Sequence, residues 1–521
     1  MSRGVALFLP VVSALLTTLS FPSVDLGFLA WVSLSPLLIA LRQRGPIAAA
    51  SLGFLFGCLF CIGTFYWLNG IAGVTLPVFL LPVAAFGVYS LFFGFLYNAS
   101  NRFIRSWIIL GAPALWVALE YARANLFFLS LPWNLLGQSQ YRYLPVIQIA
   151  DLTGVYGVSF LLVMVNQLVS EILELATFRR TPGPNWVGQI LAVTLVVALT
   201  LSYGWSKLIA PVSGGQLRVA IVQANVLARN NMTPPDRVAH LRAYERLTRE
   251  AASAQPDLIV WPSSSLPAPM GSMLVQYSTA RLAYQTKAHL LVGGAGGDKI
   301  APQLEGHQLH ANSEFLISPS GQIAGEYHKI RLTPFNEYVP LQGKIPWPRW
   351  ITPLRESFVP GETYTLFQIS EARFGAPICG ENMHPDLFRS FVRDGANFMV
   401  SVTNEAFYGR TSAPYQSLAL NVFRAVENRV AVARAATTGI SAFIEPTGRI
   451  VDRVVDGNGK DIFVSGFLVR NVPLSTSRTF YTLYGDVFAS GMFALALVMV
   501  LASMVARRSS RPQPVPALAS E

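Results

Sequence analysis

Cys379 is the only cysteine outside the long apolar segments of this chain, and it is the first candidate for chemistry. It ends an apolar run in Phe-Gly-Ala-Pro-Ile-Cys-Gly-Glu, and Lys329 lies about fifty residues upstream. A free thiol titrates near ~8.5, so a nearby cation is needed to populate the thiolate at neutral pH. Cysteine, lysine and neighbouring acidic residues indicate covalent acyl chemistry beside a bilayer. A buried, inert cysteine is the alternative.

Two glutamates lie close to these residues in the sequence. Glu337 follows Lys329 in the same polar loop and could hold its ammonium group, although a solvated position fits the sequence too. Glu381, just after Cys379, is either a site residue or a cap of the following helix. The serines 263–265 lack the G-x-S-x-G surroundings of a serine nucleophile.

Apolar residues make up 52% of the 521 residues, whereas charged residues make up only 13%. A helix needs about 20 apolar residues to cross a bilayer. The chain therefore predicts a multi-pass α-helical membrane domain at 1–205, a further membrane helix at 486–506 and a cytoplasmic tail at 507–521. The eight predicted spans cover residues 5–22, 25–41, 47–68, 73–97, 107–121, 155–176, 187–205 and 486–506.

Arginines are concentrated in alternate short loops between these spans, and short basic loops stay in the cytoplasm. This pattern predicts that both termini lie inside and that the large 206–485 segment lies outside the cytoplasm. It also explains the net charge of +11 without a nucleic-acid partner. The arginines concerned are Arg3, Arg42, Arg44, Arg102, Arg105, Arg179, Arg180, Arg507, Arg508 and Arg511.

The 206–485 segment alternates short β-rich runs with a helical stretch at 237–252, which predicts one α/β domain. The candidate reactive residues lie at or just after the carboxyl ends of strands, where α/β folds usually place their sites. Strands are predicted at 217–223, 257–261, 289–293, 376–379 and 398–402, and hairpins at 315–323 and 439–450.

Other candidate motifs favour structural roles. Cys58 and Cys61 lie one helical turn apart in a membrane span, where packing is the simpler interpretation than a redox pair. The glycine-rich 293–299 run lacks the ending of a phosphate loop and predicts a flexible turn. His307 and His310 have no third clustered ligand, so no metal or other cofactor is predicted.

Ordered motifs run through most of the chain and resemble the nitrilase superfamily. Together with the membrane spans they resemble its membrane-anchored branch, the apolipoprotein N-acyltransferase family. The matching motifs are Val222-Gln223-Ala-Asn225, Trp261-Pro262, Asn312-Ser313, Tyr327-x-Lys329-x-x-Leu-x-Pro334-Phe335-x-Glu337-Tyr-Val-Pro340, Ile378-Cys379-x-Glu381, Asn404-Glu-Ala-Phe-Tyr-Gly409, Arg424-Ala-Val-Glu427-Asn428, Pro132-Trp133-Asn134 and Gly154-Val-Tyr-Gly-Val-Ser159.

The resemblance implies an αββα sandwich for 206–485 and a two-step acyl transfer without a cofactor. An acyl group would pass from phospholipid to a Cys379 thioester and then to the N-terminal diacylglyceryl-cysteine of an apolipoprotein. Lys329 would stabilise the thiolate and the oxyanion. The resemblance further implies a monomer in the bacterial inner membrane, with a periplasmic domain. Supporting residues would be Glu337 and Glu381, and substrate-binding residues would be Trp261, Asn312 and Tyr338.

The chain departs from the family pattern at one position that matters for chemistry. The family has Trp-Pro-Glu after the second strand, with this glutamate as general base, and here the third residue is Ser263. Three hypotheses follow. The protein is an active N-acyltransferase, a non-catalytic or regulatory relative that binds lipid or lipoprotein, or a membrane-anchored amidase or acyltransferase with another acceptor.

Overall fold

The computed structural model describes residues 3–101, 108–178, 185–211, 214–226, 232–296, 310–348, 350 and 358–509. Its α-helices are α1 Arg3–Leu19, α2 Ser35–Arg42, α3 Pro46–Phe65, α4 Leu76–Asn101, α5 Ile108–Asn125, α6 Leu144–Ile147, α7 Ala150–Thr153, α8 Val155–Phe178, α9 Trp186–Ile209, α10 Pro234–Ala252, α11 Met273–Thr286, α12 Pro385–Arg393, α13 Ala413–Asn428, α14 Phe480–Tyr484 and α15 Val487–Ser509. Its strands are β1 Gln216–Gln223, β2 Leu258–Val260, β3 His289–Gly296, β4 Ala311–Ile317, β5 Ile323–His328, β6 Phe367–Ile369, β7 Ala372–Gly375, β8 Phe398–Thr403, β9 Val432–Ala436, β10 Ala442–Ile444, β11 Ile450–Arg453 and β12 Gly466–Pro473.

The predicted multi-pass helical domain is confirmed. The described part of the chain contains five helices long and apolar enough to cross a membrane. The predicted span 25–41 is interrupted, because a 3-10 turn at Gly27–Trp31 precedes α2. Helix α9 continues to Ile209, past the boundary predicted at 205. The five long helices are Pro46–Gly70, Leu76–Asn101, Val155–Thr177, Trp186–Ile209 and Val487–Val505, and shorter apolar ones are Gly4–Leu19, Gly27–Arg42 and Leu144–Thr153.

Several helix ends that were predicted to lie on the same side of the membrane meet in the structure. Arg42, at the end of α2, forms an ion pair of 3.0 Å with Glu174 near the end of α8. Asn98, near the end of α4, donates to the carbonyl oxygens of Leu41 and Arg44. The ends of α2, α4 and α8 therefore lie together. Arg102, Arg105, Arg179, Arg180 and Arg511 fall outside the described residues.

Two six-stranded sheets form the large domain, in the orders β12-β1-β2-β3-β4-β5 and β11-β10-β9-β8-β7-β6. The sheets pack face to face, with β1 against β9. Helices α10 and α11 cover the outer face of the first sheet, and α12 and α13 pack against the second. This arrangement confirms the α/β sandwich that the motifs imply.

Long-range pairing accounts for the strands that differ from prediction. The strand expected at 376–379 is not formed. Strand β7 ends before it, at Gly375, because Pro377 cannot donate to the ladder, and only an isolated bridge joins Ile378 to Val402. The glycines expected to form a flexible turn instead continue β3 to Gly296, where they pair with β4. Residues 297–300 of that run lie outside the described chain.

One glutamine joins the sandwich to the membrane helices. The Gln416 side-chain oxygen accepts hydrogen bonds from the indole nitrogens of Trp67, at 3.2 Å, and Trp133, at 3.1 Å. Its amide nitrogen donates to the carbonyl oxygens of Thr64 and Pro22. The membrane domain and the second sheet also share one continuous apolar core.

Candidate active site

Cys379 begins a short 3-10 helix, Cys379–Met383, which follows the end of β7. Its φ of 51° is left-handed, a conformation that is uncommon for a residue other than glycine and that clusters at functional sites. The thiol is free and half-buried. Asn382 donates to the Cys379 carbonyl oxygen at 3.0 Å and so holds the turn.

Lys329 follows β5 directly, and its side chain is almost completely buried. Its backbone nitrogen donates to the Asn312 carbonyl oxygen at 2.8 Å, which extends the β4–β5 pairing to this residue. Its Nζ donates to Glu337 Oε2 at 2.6 Å. Burial alone would lower the pKa of Lys329, but its electrostatic interactions with Glu337, Cys379 and Glu381 raise it above its usual value. The ammonium group is therefore kept charged beside the thiol.

Glu337 is fixed by more than the lysine. Its carboxylate also accepts from the Thr333 backbone nitrogen at 2.7 Å and from the Asn312 side chain at 3.2 Å. Burial would raise the pKa of Glu337, but Lys329 and these hydrogen bonds hold it below its usual value. Asn312, which was expected to bind substrate, thus holds Glu337 in place. Tyr338, which was also expected to bind substrate, follows Glu337 in the sequence and is half-buried.

Glu381 connects the loop of Lys329 with the loop of Cys379. Its fully buried carboxylate accepts from the Tyr327 hydroxyl and from the backbone nitrogens of Ile330 and Arg331. It also accepts from the Ile378 nitrogen at 2.8 Å, so it caps the short helix as well. Burial raises the pKa of Glu381, despite the opposing effects of Lys329 and these donors. Glu381 therefore connects the two loops and caps the short helix in which it lies.

Ser263 lies just after β2 and is 1% exposed. Its hydroxyl cannot accept a proton at neutral pH. Trp261 does not fit the substrate contact predicted for it. Its fully buried ring stacks on Tyr244 of α10 at 4.6 Å, and its indole nitrogen donates to Thr248 at 2.9 Å. The tryptophan therefore anchors β2 to α10 on the outer face of the sheet.

Tyr408 belongs to the surroundings of Cys379, although sequence reasoning did not single it out. Its ring lies 4.9 Å from Trp67 and 6.2 Å from Trp133 of the membrane domain. Burial, followed by the charges of Cys379 and Glu405, raises the pKa of Tyr408 well above its usual range. The family-like motif at 404–409 contains this tyrosine and was the sequence feature that could have pointed to it. This tyrosine joins the thiol region to the membrane helices.

No cluster of three or more metal-ligating side chains occurs among the residues that the structure describes. His310 is half-buried, and His307 lies outside the described chain. The side chains described above are a thiol, an ammonium group and carboxylates. That set can perform nucleophilic acyl transfer, with charge stabilisation of the thiolate and the oxyanion.

Comparison with known proteins identifies both parts of the chain. Residues 13–168 match the apolipoprotein N-acyltransferase N-terminal domain, and residues 218–466 match the carbon-nitrogen hydrolase family. An amidase from Nesterenkonia of known structure is 19% identical, with a TM-score of 0.38, over 54% of this chain and 95% of its own.

Full-length relatives resemble the whole chain. The apolipoprotein N-acyltransferase of Geobacter metallireducens is 36% identical over 510 residues, which cover 96% of this chain and 95% of the relative. The apolipoprotein N-acyltransferase of Chlorobaculum tepidum is 29% identical over 538 residues, covering 96% and 97%. The similarity extends across the membrane helices and the sandwich alike, and this chain belongs to the apolipoprotein N-acyltransferase family.

Proposed function

We propose that this protein moves a fatty acyl chain from a phospholipid to the N-terminal diacylglyceryl-cysteine of apolipoproteins, through a thioester on Cys379. The observation that carries the proposal is the buried Lys329–Glu337 ion pair, which Glu381 connects to the turn of Cys379. The names of the full-length relatives support the same activity.

In the first step, the Cys379 sulfur attacks the ester carbonyl carbon of the phospholipid. The new carbon–sulfur bond replaces the ester carbon–oxygen bond, and the lysophospholipid leaves with a proton. Lys329 stabilises the thiolate before attack and the oxyanion during it. Its low exposure strengthens that interaction, because water does not screen a buried charge.

In the second step, the free amine of the acceptor cysteine attacks the thioester. A carbon–nitrogen bond forms, the carbon–sulfur bond breaks and the Cys379 thiol is regenerated. Dividing the transfer in two replaces one difficult reaction with two easier ones. The second step needs a base, because the amine must lose a proton as the amide forms.

The contacts between the two domains support a reaction at the membrane surface. Gln416 and Tyr408 link the sandwich to Trp67 and Trp133 of the membrane domain. A donor phospholipid in the adjacent leaflet would therefore approach Cys379 from the side of these aromatic rings. We place the protein in the bacterial inner membrane as a monomer, with the sandwich in the periplasm.

Purified full-length protein, phospholipid and a synthetic diacylglyceryl-cysteinyl peptide test the proposal. Mass spectrometry should show one added acyl chain on the peptide amine. A matched peptide with an acetylated N-terminus should remain unchanged. Equal acylation of a peptide without the diacylglyceryl group would instead identify an acyltransferase with another acceptor.

The hydroxyl at Ser263 favours a second candidate, a non-catalytic protein that binds lipid or lipoprotein at the same site. Complementation separates the two candidates. An active enzyme restores growth to a bacterial strain depleted of its own N-acyltransferase, whereas a binding protein does not. Retained phospholipid binding without growth or peptide acylation would support the second candidate.

A further inference from the structure

Glu314, on β4, carries a buried carboxyl group for which the sequence suggested no role. The residue is fully buried, and neither side-chain oxygen has a hydrogen-bond partner among the residues that the structure describes. Burying a carboxylate without partners is strongly unfavourable, so such a group calls for an explanation. An apolar residue would fill this core position at lower cost.

The carboxyl group lies beside Ser263. Glu314 pairs with Gly293 of the neighbouring strand, and its side chain crosses the space that this glycine leaves open. A methyl group built on Gly293 would collide with Glu314 Oε1 and would lie 2.8 Å from Ser263 Cα and 3.0 Å from the Ser264 nitrogen. Glu314 therefore places a carboxyl next to a position whose own side chain is only a hydroxyl.

Strand register places Glu314 on the face of the sheet that carries Lys329. Residues directly opposite each other in an antiparallel pair have side chains on the same face. Glu314 is opposite Tyr327, whose hydroxyl donates to Glu381, and Lys329 follows two residues later. Leu316, on the same face, belongs to the core shared with the second sheet, which carries Cys379.

The other carboxylates of the site are already engaged. Glu337 binds Lys329, and its lowered pKa makes it a weak proton acceptor. Glu381 uses its oxygens to accept from Tyr327 and three backbone nitrogens. Glu314 has no such commitment among the described residues. Burial also raises the pKa of Glu314 well above its usual range, so its carboxylate binds a proton more strongly than that of Glu337 does.

We propose that Glu314 supplies, from β4, the proton-accepting carboxyl that Ser263 cannot provide. In the first step, the Cys379 proton passes to Glu314 before the thiolate attacks the ester carbonyl carbon, and Glu314 returns it to the departing lysophospholipid oxygen. In the second step, Glu314 takes a proton from the attacking amine, and that proton returns to the Cys379 sulfur as the thioester breaks. This inference rests on the proposed function. The hydrogen bonds that a general base makes to the reacting groups often tighten only when substrate binds.

Moving the carboxyl between the two positions tests the inference. Glu314→Gln should slow peptide acylation about 100-fold or more, which is within the usual contribution of a general base. Adding Ser263→Glu to that variant should recover about tenfold, because it returns a carboxyl to the same space. Glu326→Gln, which changes an exposed carboxyl on β5, should retain the wild-type rate.

A folded Glu314→Gln protein that acylates at the wild-type rate would overturn the inference while leaving the proposed function intact. A folded double variant without recovery would overturn it too. If the glutamine variant does not fold, Glu314→Leu fills the same buried volume and takes its place. If the wild-type protein forms no amide, alkylation of Cys379 by iodoacetamide still tests Glu314. Replacing Glu314 should slow the alkylation of Cys379 at neutral pH, and an unchanged rate would contradict the inference.

Discussion

Lys329 and Glu337 form an ion pair of 2.6 Å in which each side chain is almost completely buried. Replacing such a pair with apolar groups is often tolerated, but removing one partner leaves a buried charge without compensation. Each residue therefore fixes the charge of the other. The pair also orders the loop between them, since Glu337 accepts from the Thr333 nitrogen.

Glu337→Gln should destabilise the folded protein by about 3–5 kcal/mol, the usual cost of breaking a buried ion pair. Thermal unfolding in detergent micelles measures the change. Glu445→Gln is the matched control, because Glu445 forms an exposed pair with Arg449 and its loss should cost under ~1 kcal/mol. Equal effects of the two substitutions would show that the buried pair contributes no more than the exposed one.

The same pair makes stability depend on pH in a defined direction. The folded-state pKa of Glu337 is lowered, so its contribution is present above the ordinary value of ~4.3 and is lost as pH falls through the lowered pKa. The stability difference between the wild type and Glu337→Gln should therefore be constant from about pH 6 to 8 and shrink below about pH 4. A difference that persists unchanged at pH 3 would mean that folding does not lower the pKa of Glu337.

The membrane orientation can be tested with reporters. A reporter that is active only in the cytoplasm should work when fused after residue 521 and fail when fused near residue 300. The ends of α2 and α8 meet at the Arg42–Glu174 ion pair, so the reporters need to decide only on which side of the membrane this shared end lies. A reporter active only outside the cytoplasm serves as the control. The reverse pattern would remove the access of Cys379 to periplasmic substrates.

The membrane helices, the α/β sandwich and the contact between Lys329 and Glu337 could be predicted from the sequence. Long apolar runs specify helices locally, and the motifs carry fixed spacings. The β4–β5 hairpin was also predictable, because its turn lies between two short apolar runs. Strand β12 was not, because it pairs with β1 from the other end of the domain.

The remaining site features depend on contacts that sequence distance conceals. Trp261 follows a buried strand in a family-like motif, yet strand alternation turns its ring to the outer helices. Glu314 has an ordinary position in a β-rich run, and only the pairing with Gly293 places it beside Ser263. Gln416 meets Trp67 and Trp133 across the domain boundary, which no local pattern predicts.

Gln416→Leu should weaken the junction between the sandwich and the membrane helices. The substitution leaves the buried Trp133 indole nitrogen without its acceptor, whereas the Trp67 nitrogen keeps the Thr64 carbonyl oxygen, and an unsatisfied buried group costs about 1–3 kcal/mol. We expect a lower unfolding temperature and slower acylation. Gln368→Leu, at an exposed position of β6, is the control. A Gln416→Leu protein as stable as that control would show that the junction depends on the apolar core alone.

The most direct test of the proposed mechanism is a covalent acyl group on Cys379. Full-length protein incubated with phospholipid, without an acceptor peptide, should carry one hydroxylamine-sensitive acyl chain, and peptide mass spectrometry should locate it at Cys379. The adduct should persist in Cys58→Ala/Cys61→Ala and be absent from Cys379→Ser. An adduct that survives in Cys379→Ser, or one that disappears when Cys58 and Cys61 are replaced, would contradict the assignment of Cys379 as the nucleophile.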